Sequence, residues 1–286
     1  MTNVLITGAN GQLGSDLQKI SNLYPRFRFI PTDIETLDLT NQEQINSFIV
    51  ENKIDYIVNC AAYTAVDRAE DDKETCFLVN TTAVSNLAKA AYGKARIIHI
   101  STDYVFSGSG NQPLKETDET NPQSVYGESK LEGEIALQKI CPDSIIIRTS
   151  WLYSTFGNNF VKTMIRLGKE KEVISVVNDQ YGTPTYAADL AKVIMDILEY
   201  SETSSFMPGI YHYSNEGCTT WQEFASKIMS LNKLNCKVEP IPTSEYPTKA
   251  KRPMYSVMDK TKIKNTFGLT IPQWEESLEK CTLLFS

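Results

Sequence analysis

Two short spacings in this sequence suit redox chemistry on a small molecule. Tyr126 and Lys130 lie four apart in Tyr126-Gly-Glu-Ser-Lys130, which puts both on one face of a helix. An ammonium near a phenol favours the phenolate, so Lys130 is expected to lower the Tyr126 pKa from its ordinary value of about 10 and make it a usable proton donor. The pattern is common by itself and gains weight from its place after the fourth strand-like run. Ser101-Thr-Asp-Tyr-Val-Phe106 follows that same run. Thr102 and Asp103 are therefore expected at the carboxyl edge of a sheet, where open α/β folds bind ligands, with Thr102 able to hydrogen-bond a carbonyl oxygen beside Tyr126.

The second spacing is Gly8-Ala-Asn-Gly11-Gln-Leu-Gly14, directly after the first strand-like run. Glycines there permit a tight turn, close approach of backbone N–H groups to a pyrophosphate, and close packing of helix on sheet. Asp33 stands nineteen residues beyond Gly14, where a carboxylate accepts from an adenosine ribose hydroxyl and repels a 2′-phosphate. Asp38 is the competing acid. Asn59-Cys-Ala-Ala-Tyr-Thr64 follows the third strand-like run, and its small residues let backbone approach a flat ligand. With only two histidines, His99 and His212, both in strand-like alternations, a zinc site of the two- or three-histidine kind is excluded and structural roles are expected for both. The six cysteines include no Cys-x-x-Cys pair and are read as reduced, small buried hydrophobes.

The elements that must position these groups alternate in type. Val4–Thr7, Arg28–Thr32, Asp55–Asn59, Arg96–Ile100 and Ser144–Arg148 read as strands; Gly11–Ile20, Asn41–Val50, Thr75–Tyr92 and Val125–Ile140 read as helices. That alternation predicts βαβ units in a doubly wound parallel sheet, a Rossmann-type α/β fold, with a smaller C-terminal substrate-binding subdomain. Val173–Val177 and Ala187–Leu198 are expected to rejoin the sheet as one more strand and helix. The dinucleotide domain is thus assigned to 1–149 plus about 172–200, and the smaller subdomain to about 150–171 and 201–286, a tail punctuated by Pro240, Pro242, Pro247 and Pro253.

The 286 residues are 41% hydrophobic and 22% charged, with 28 Lys+Arg against 35 Asp+Glu and a net charge of −7. This is ordinary globular composition, with enough chain for a sizeable core. The acidic balance argues against a general nucleic-acid binder. No apolar run is long enough for a membrane span, and no signal-like segment opens the sequence, so a cytoplasmic protein is expected.

Taken together, these motifs resemble the extended short-chain dehydrogenase/reductase superfamily and, within it, the dTDP-4-dehydrorhamnose reductase family. The match runs nearly end to end. Besides the segments above it includes Asn59–Asp67, Arg148-Thr-Ser-Trp-Leu-Tyr153, Gly157-Asn-Asn-Phe160, Asn178–Thr185 and Lys251-Arg-Pro253. The resemblance implies NADPH or NADH as cofactor, a dTDP-sugar substrate, and reduction of a sugar C4 keto group. By it, Gly11, Gln12 and Leu13 would contact the cofactor pyrophosphate, Gly8 and Gly14 would belong to the same cofactor-binding loop, and Asp33, Asp38 and Leu39 would lie near the adenosine. Ala62, Tyr63, Thr64 and Ile100 would line the dinucleotide. Tyr126 would protonate the C4 oxygen, Lys130 would hold the nicotinamide ribose, and Thr102 would adjust hydrogen bonding at the carbonyl. Thr102, Asp103 and Trp151 would touch the substrate. Arg252 is added here for the substrate pyrophosphate, because a planar guanidinium suits phosphate oxygens.

In one respect the sequence departs from the family. Some members are metal-bridged dimers using glutamates near the first helix and the C-terminus. Here those regions read Ser15-Asp16 and Leu283-Leu-Phe-Ser286, so no metal is expected and the chain is read as a monomer or homodimer. Two alternatives stay open: a sugar-nucleotide epimerase or dehydratase of the same superfamily, which would suit Asp103 beside Thr102, and a non-catalytic binding subunit resembling the regulatory subunit of methionine adenosyltransferase. Trp151 and Arg252 favour an enzyme.

Overall fold

The computed structural model describes residues 1–285; Ser286 lies outside them. In chain order the first half contains β1 (Thr2–Thr7), α1 (Gln12–Ile20), β2 (Phe27–Thr32), α2 (Gln42–Glu51), β3 (Tyr56–Asn59), α3 (Val66–Ala69), α4 (Lys73–Phe77), α5 (Ala83–Ala91), β4 (Arg96–Thr102) and α6 (Val125–Ile140). Then come β5 (Ile145–Thr149), β6 (Leu152–Tyr153), α7 (Phe160–Glu170), β7 (Val173–Val177), β8 (Tyr181–Gly182), β9 (Thr185–Tyr186) and α8 (Ala187–Thr203). The chain continues through β10 (Gly209–His212), β11 (Thr219–Thr220), α9 (Trp221–Leu231), β12 (Lys237–Ile241), α10 (Thr261–Phe267) and α11 (Trp274–Thr282).

Six strands form one parallel sheet in the order β10-β5-β4-β3-β1-β2. Parallel strands need long crossovers, and these place helices on both faces. The strands accordingly read as unbroken apolar runs: every residue of β3 and of β5 is buried. Successive side chains still alternate in direction. Val4, Ile6, Val58, Ile98 and Ile147 pack with α1 and α8, while Leu5, Ile57, Ile97 and Ile146 pack with α2, α5 and α6. Pro31 lacks an N–H and sits in β2, the edge strand, where one side needs no partner.

One strand is placed differently from the sequence expectation. Val173–Val177 does not rejoin the central sheet; it pairs in parallel with Lys237–Ile241, and the position beside β5 is taken by Gly209–His212. In β7, Val173 and Ser175 are exposed, a one-sided burial that suits a sheet covered on one face and not one sandwiched between helix layers. The β7–β12 pair, α7, α9 and α11 build a second core around Tyr153, Met164, Phe224, Ile228, Trp274 and Leu278.

The Thr75–Tyr92 helix is also subdivided. Between α4 and α5, Leu78–Thr82 forms a wide π-helical turn, which places the fully buried Asn80 toward the loop after β3.

Candidate active site

The loop after β1 is built as its glycines require. Gly8 has φ +63°, and a Cβ there would lie 2.7 Å from Ala61 backbone. A Cβ on Gly14 would lie 2.5 Å from the Gly8 carbonyl oxygen. Gly11 caps α1 with no side-chain hydrogen bond and no acidic residue in the first turn. The N-terminal N–H groups of α1 therefore suit an anion.

Two adjoining clefts share Gly8, Gly11, Cys60 and Ala62. One, of about 350 Å³, is lined by Asp33, Asp38 and Leu39. The Asp33 carboxylate accepts from the N–H groups of Asn10 (2.9 Å) and Ile34 (2.8 Å), which fixes its direction. Asp38 accepts from the Thr40 N–H and hydroxyl. The other, of about 490 Å³, runs past Gln12, Leu13, Gly14, Thr64 and Ile100 to Thr102, Asp103, Tyr126, Lys130 and Trp151. The paired clefts and the uncapped helix N-terminus between them fit a dinucleotide.

Tyr63 is the exception among the expected lining residues. Its hydroxyl donates to Asp72 (3.2 Å), and its side chain packs against the cluster of Ala69, Cys76, Val125 and Tyr126. Its backbone is clamped by Asn80, which accepts the Tyr63 N–H at 2.9 Å and donates to its carbonyl at 3.1 Å. Asn80 also donates to Ser129 on α6 (3.0 Å), so the π turn ties the dinucleotide loop to the helix that carries Tyr126. Asn80 was not singled out from sequence, because an asparagine inside a helical stretch carries no signal of a tertiary clamp.

Ser124 caps α6 by accepting the Gly127 N–H, and the first turn delivers Tyr126 beside Thr102. Both side chains line the same cleft. Thr102 donates to Asp103 at 3.0 Å and accepts the Tyr104 N–H at 3.2 Å. The Tyr126 phenol departs from the sequence expectation: its pKa is raised, first by burial and also by the Asp103 charge, with Thr102 pulling the other way. Protonated across neutral pH, it can donate. Burial pushes the Asp103 carboxyl up to about 6 against the hydroxyls of Ser256 and Thr102. Burial also lowers Lys130 to about 8, offset in part by Glu134 and the thiols of Cys60 and Cys76. Its Nζ donates to the Ile100 carbonyl at 2.7 Å.

Trp151 has φ +46°, rare for a residue with a side chain. Strain of this kind concentrates at functional sites. Its indole stacks on Trp221 at 3.6 Å between centroids and 11° between planes, in a gap only a glycine at 182 allows, since a Cβ there would lie 2.6 Å from the ring. Trp221 lines a further cavity of about 590 Å³ with Gln180, Tyr246 and Arg252. The tryptophan pair therefore joins the two spaces. Arg252 lies in the second of these and not in the Tyr126 cleft. It donates to Asp67 at 2.6 Å and to the Tyr104 hydroxyl at 3.1 Å, and the Tyr104 ring meets Tyr126 edge-on at 5.4 Å. Tyr104 and Trp221, which line the two spaces, and Asp67, which pairs with Arg252, are thus candidates that sequence reasoning did not single out. Asp67 and Tyr104 fell within quoted motifs; Trp221, at the start of α9, had no local signal.

A parallel doubly wound sheet with this glycine loop and a Tyr-x-x-x-Lys helix beside a Thr-Asp turn defines a dinucleotide-dependent oxidoreductase of the extended short-chain dehydrogenase/reductase type. The model of the RmlD substrate binding domain family matches residues 1–285. The dTDP-4-dehydrorhamnose reductase of Aggregatibacter actinomycetemcomitans is 43% identical over 98% of both chains. Among solved structures, the enzyme of that name from Clostridium acetobutylicum has a TM-score of 0.94 at 44% identity, covering 99% of each chain. The Bacillus anthracis one, in complex with NADP, has a TM-score of 0.93 at 42% identity, covering 99% of this chain and 100% of that one. The chain belongs to the dTDP-4-dehydrorhamnose reductase family.

Proposed function

We propose that this protein reduces the C4 keto group of dTDP-4-dehydro-6-deoxy-L-mannose (dTDP-4-dehydrorhamnose) to give dTDP-L-rhamnose, with NADPH or NADH as hydride donor and Tyr126 as proton donor. One observation carries the reading: Tyr126 and Thr102 lie at one end of a cleft whose other end is the uncapped N-terminus of α1, with Trp151 alongside. The bound nicotinamide supplies hydride to the sugar C4 carbon. This chain's residues do the rest. Thr102 holds the carbonyl oxygen against Tyr126, whose phenol, kept neutral by burial, gives its proton to the oxygen as negative charge develops there. Lys130 binds the nicotinamide ribose and returns a proton to Tyr126.

Asp33 and Asp38 hold the adenosine ribose, and Asp103 with Trp151 contacts the sugar. Arg252 is proposed for the substrate diphosphate. Its guanidinium lines the adjoining cavity and would keep Asp67 as counter-ion while one edge of its planar fork meets phosphate. The smaller subdomain then serves the nucleotide sugar and the large sheet the dinucleotide.

The test is a coupled assay with dTDP-4-keto-6-deoxyglucose, the 3,5-epimerase and either reduced nicotinamide, following absorbance. Expected is oxidation that requires both sugar and epimerase, with dTDP-rhamnose as product, and a loss of at least a hundredfold in turnover in Tyr126→Phe with cofactor binding retained. Near-normal turnover in that variant would sink the mechanism. Sugar conversion without net cofactor oxidation would indicate an epimerase or dehydratase instead.

A further inference from the structure

Beneath the proposed proton donor, four buried polar side chains form a row across the sheet. Thr7 on β1, Asn59 on β3 and His99 on β4 are neighbours in register, and the row ends at Lys130 on α6. None of the four is more than 2% exposed. The Thr7 hydroxyl donates to Asn59 Oδ1 at 2.7 Å, and the Ala61 N–H, which can only donate, reaches the same oxygen at 3.2 Å. This fixes the Asn59 amide, so its Nδ2 is the atom 3.0 Å from His99 Nδ1. An amide nitrogen donates, so His99 Nδ1 must accept, and the one hydrogen of the neutral ring lies on Nε2. The ring is neutral, since burial and then the Lys130 charge hold its pKa well below the usual value. Nε2 lies 3.5 Å from Lys130 Nζ.

An N–H directed at an ammonium is a donor facing a donor. Directed at an amine it meets a lone pair. We propose that His99 is a positioning residue for the reduction: its Nε2–H, locked by Asn59, favours the amine form of Lys130 and so eases proton release from Lys130 to Tyr126. The proton account closes. Tyr126 gives its proton to the sugar oxygen, Lys130 ammonium reprotonates the phenolate, the resulting amine accepts from His99 Nε2–H, and solvent restores the ammonium. The other titratable groups facing Lys130 are Cys60 after β3, Cys76 on α4, and Glu134 and Tyr126 one turn away on α6. The two thiols and Glu134 favour its ammonium, opposite to His99.

The inference rests on the reduction proposed above, so its first test needs no turnover. The chain has two histidines, and His212 Nδ1 faces the Leu114 carbonyl at 3.1 Å, which requires the opposite tautomer. Long-range proton–nitrogen NMR of the intact protein should therefore show one ring protonated at Nε2 and one at Nδ1. Two Nδ1-protonated rings would overturn the proposal. The second test is the pH profile of turnover, whose alkaline limb reports loss of the Lys130 proton. In Asn59→Asp the near-isosteric carboxylate accepts from His99 Nδ1–H, turning Nε2 into an acceptor for the ammonium, and in His99→Phe the N–H is gone. Both limbs are expected to move up by about one unit, a tenfold change in proton affinity. A lowered rate with the limb unmoved in both would overturn it, and the NMR result on the unaltered chain decides the matter if either variant fails to fold.

Discussion

At the scale of single residues, burial outweighs the neighbouring charges. Lys130 was expected to depress the Tyr126 phenol; instead burial raises it, while the Lys130 ammonium donates to the Ile100 carbonyl. Sequence spacing put both side chains on one helical face but could not report the dielectric around them. Asp103 shows the same force with a sign that can be measured. Its carboxyl is raised from 3.8 to about 6 in the folded chain, so ionisation opposes folding, and the cost is present above pH 6 and fades as the pH falls toward 4. Two pKa units correspond to about 3 kcal/mol. Asp103→Asn, which keeps the acceptor for Thr102, should therefore unfold at a higher temperature than the parent at pH 7.5, with the gain shrinking at pH 4.5, while turnover falls about tenfold with loss of the proposed sugar contact. Equal melting temperatures at pH 7.5 would show that the carboxylate is solvated well enough to cost nothing.

At the scale of elements, what was legible followed from strong local patterns. The Val125–Ile140 helix was read to its ends, because Ser124 supplies a cap and Cys141-Pro142 breaks the run. The π turn at Leu78–Thr82 was not legible. Its residues are ordinary helix residues, and the wide turn is secured by Asn80 reaching Tyr63 and Ser129. The partner of β7 was hidden for a similar reason: alternation identifies a strand and not its neighbour. Within the glycine loop the steric argument gives a sharp contrast. At Gly14 an added Cβ meets backbone at 2.5 and 2.6 Å, and backbone cannot swing aside. Gly14→Ala should displace the loop, costing about 1–3 kcal/mol of stability and at least tenfold in NADPH affinity by fluorescence titration. Gly93→Ala also sits at positive φ, +69°, but meets nothing within 4 Å. It should lose about 1–2 kcal/mol of stability with affinity unchanged. Equal affinity losses in the two variants would mean that general destabilisation, and not loop geometry, governs binding.

At the scale of the whole molecule, the two cores are interleaved along the chain. The helix α8 closes the dinucleotide sheet, yet the strand that completes that sheet, Gly209–His212, follows it, and Ile263, Phe267 and Ile271 return from the far end of the chain to pack with Leu190, Ile194 and Ile197. Tyr211 and Tyr213 are buried in the same cluster. These five side chains from beyond residue 208, at about 1.5–3 kcal/mol each for full burial, match the ~5–15 kcal/mol of a typical domain's net stability. A chain ended at residue 208 would also leave one side of β5 unpaired. The dinucleotide-binding half is therefore not separable: the shortened chain should lack a cooperative thermal transition by circular dichroism and show no NADPH binding. The full chain should unfold in a single transition, and saturating NADPH, proposed above to bind in the cleft of the large sheet, should raise its midpoint as a whole without splitting it. Two resolved transitions, only one of them moved by NADPH, would show instead that the cores fold independently and that α10 merely rests on the large sheet's core.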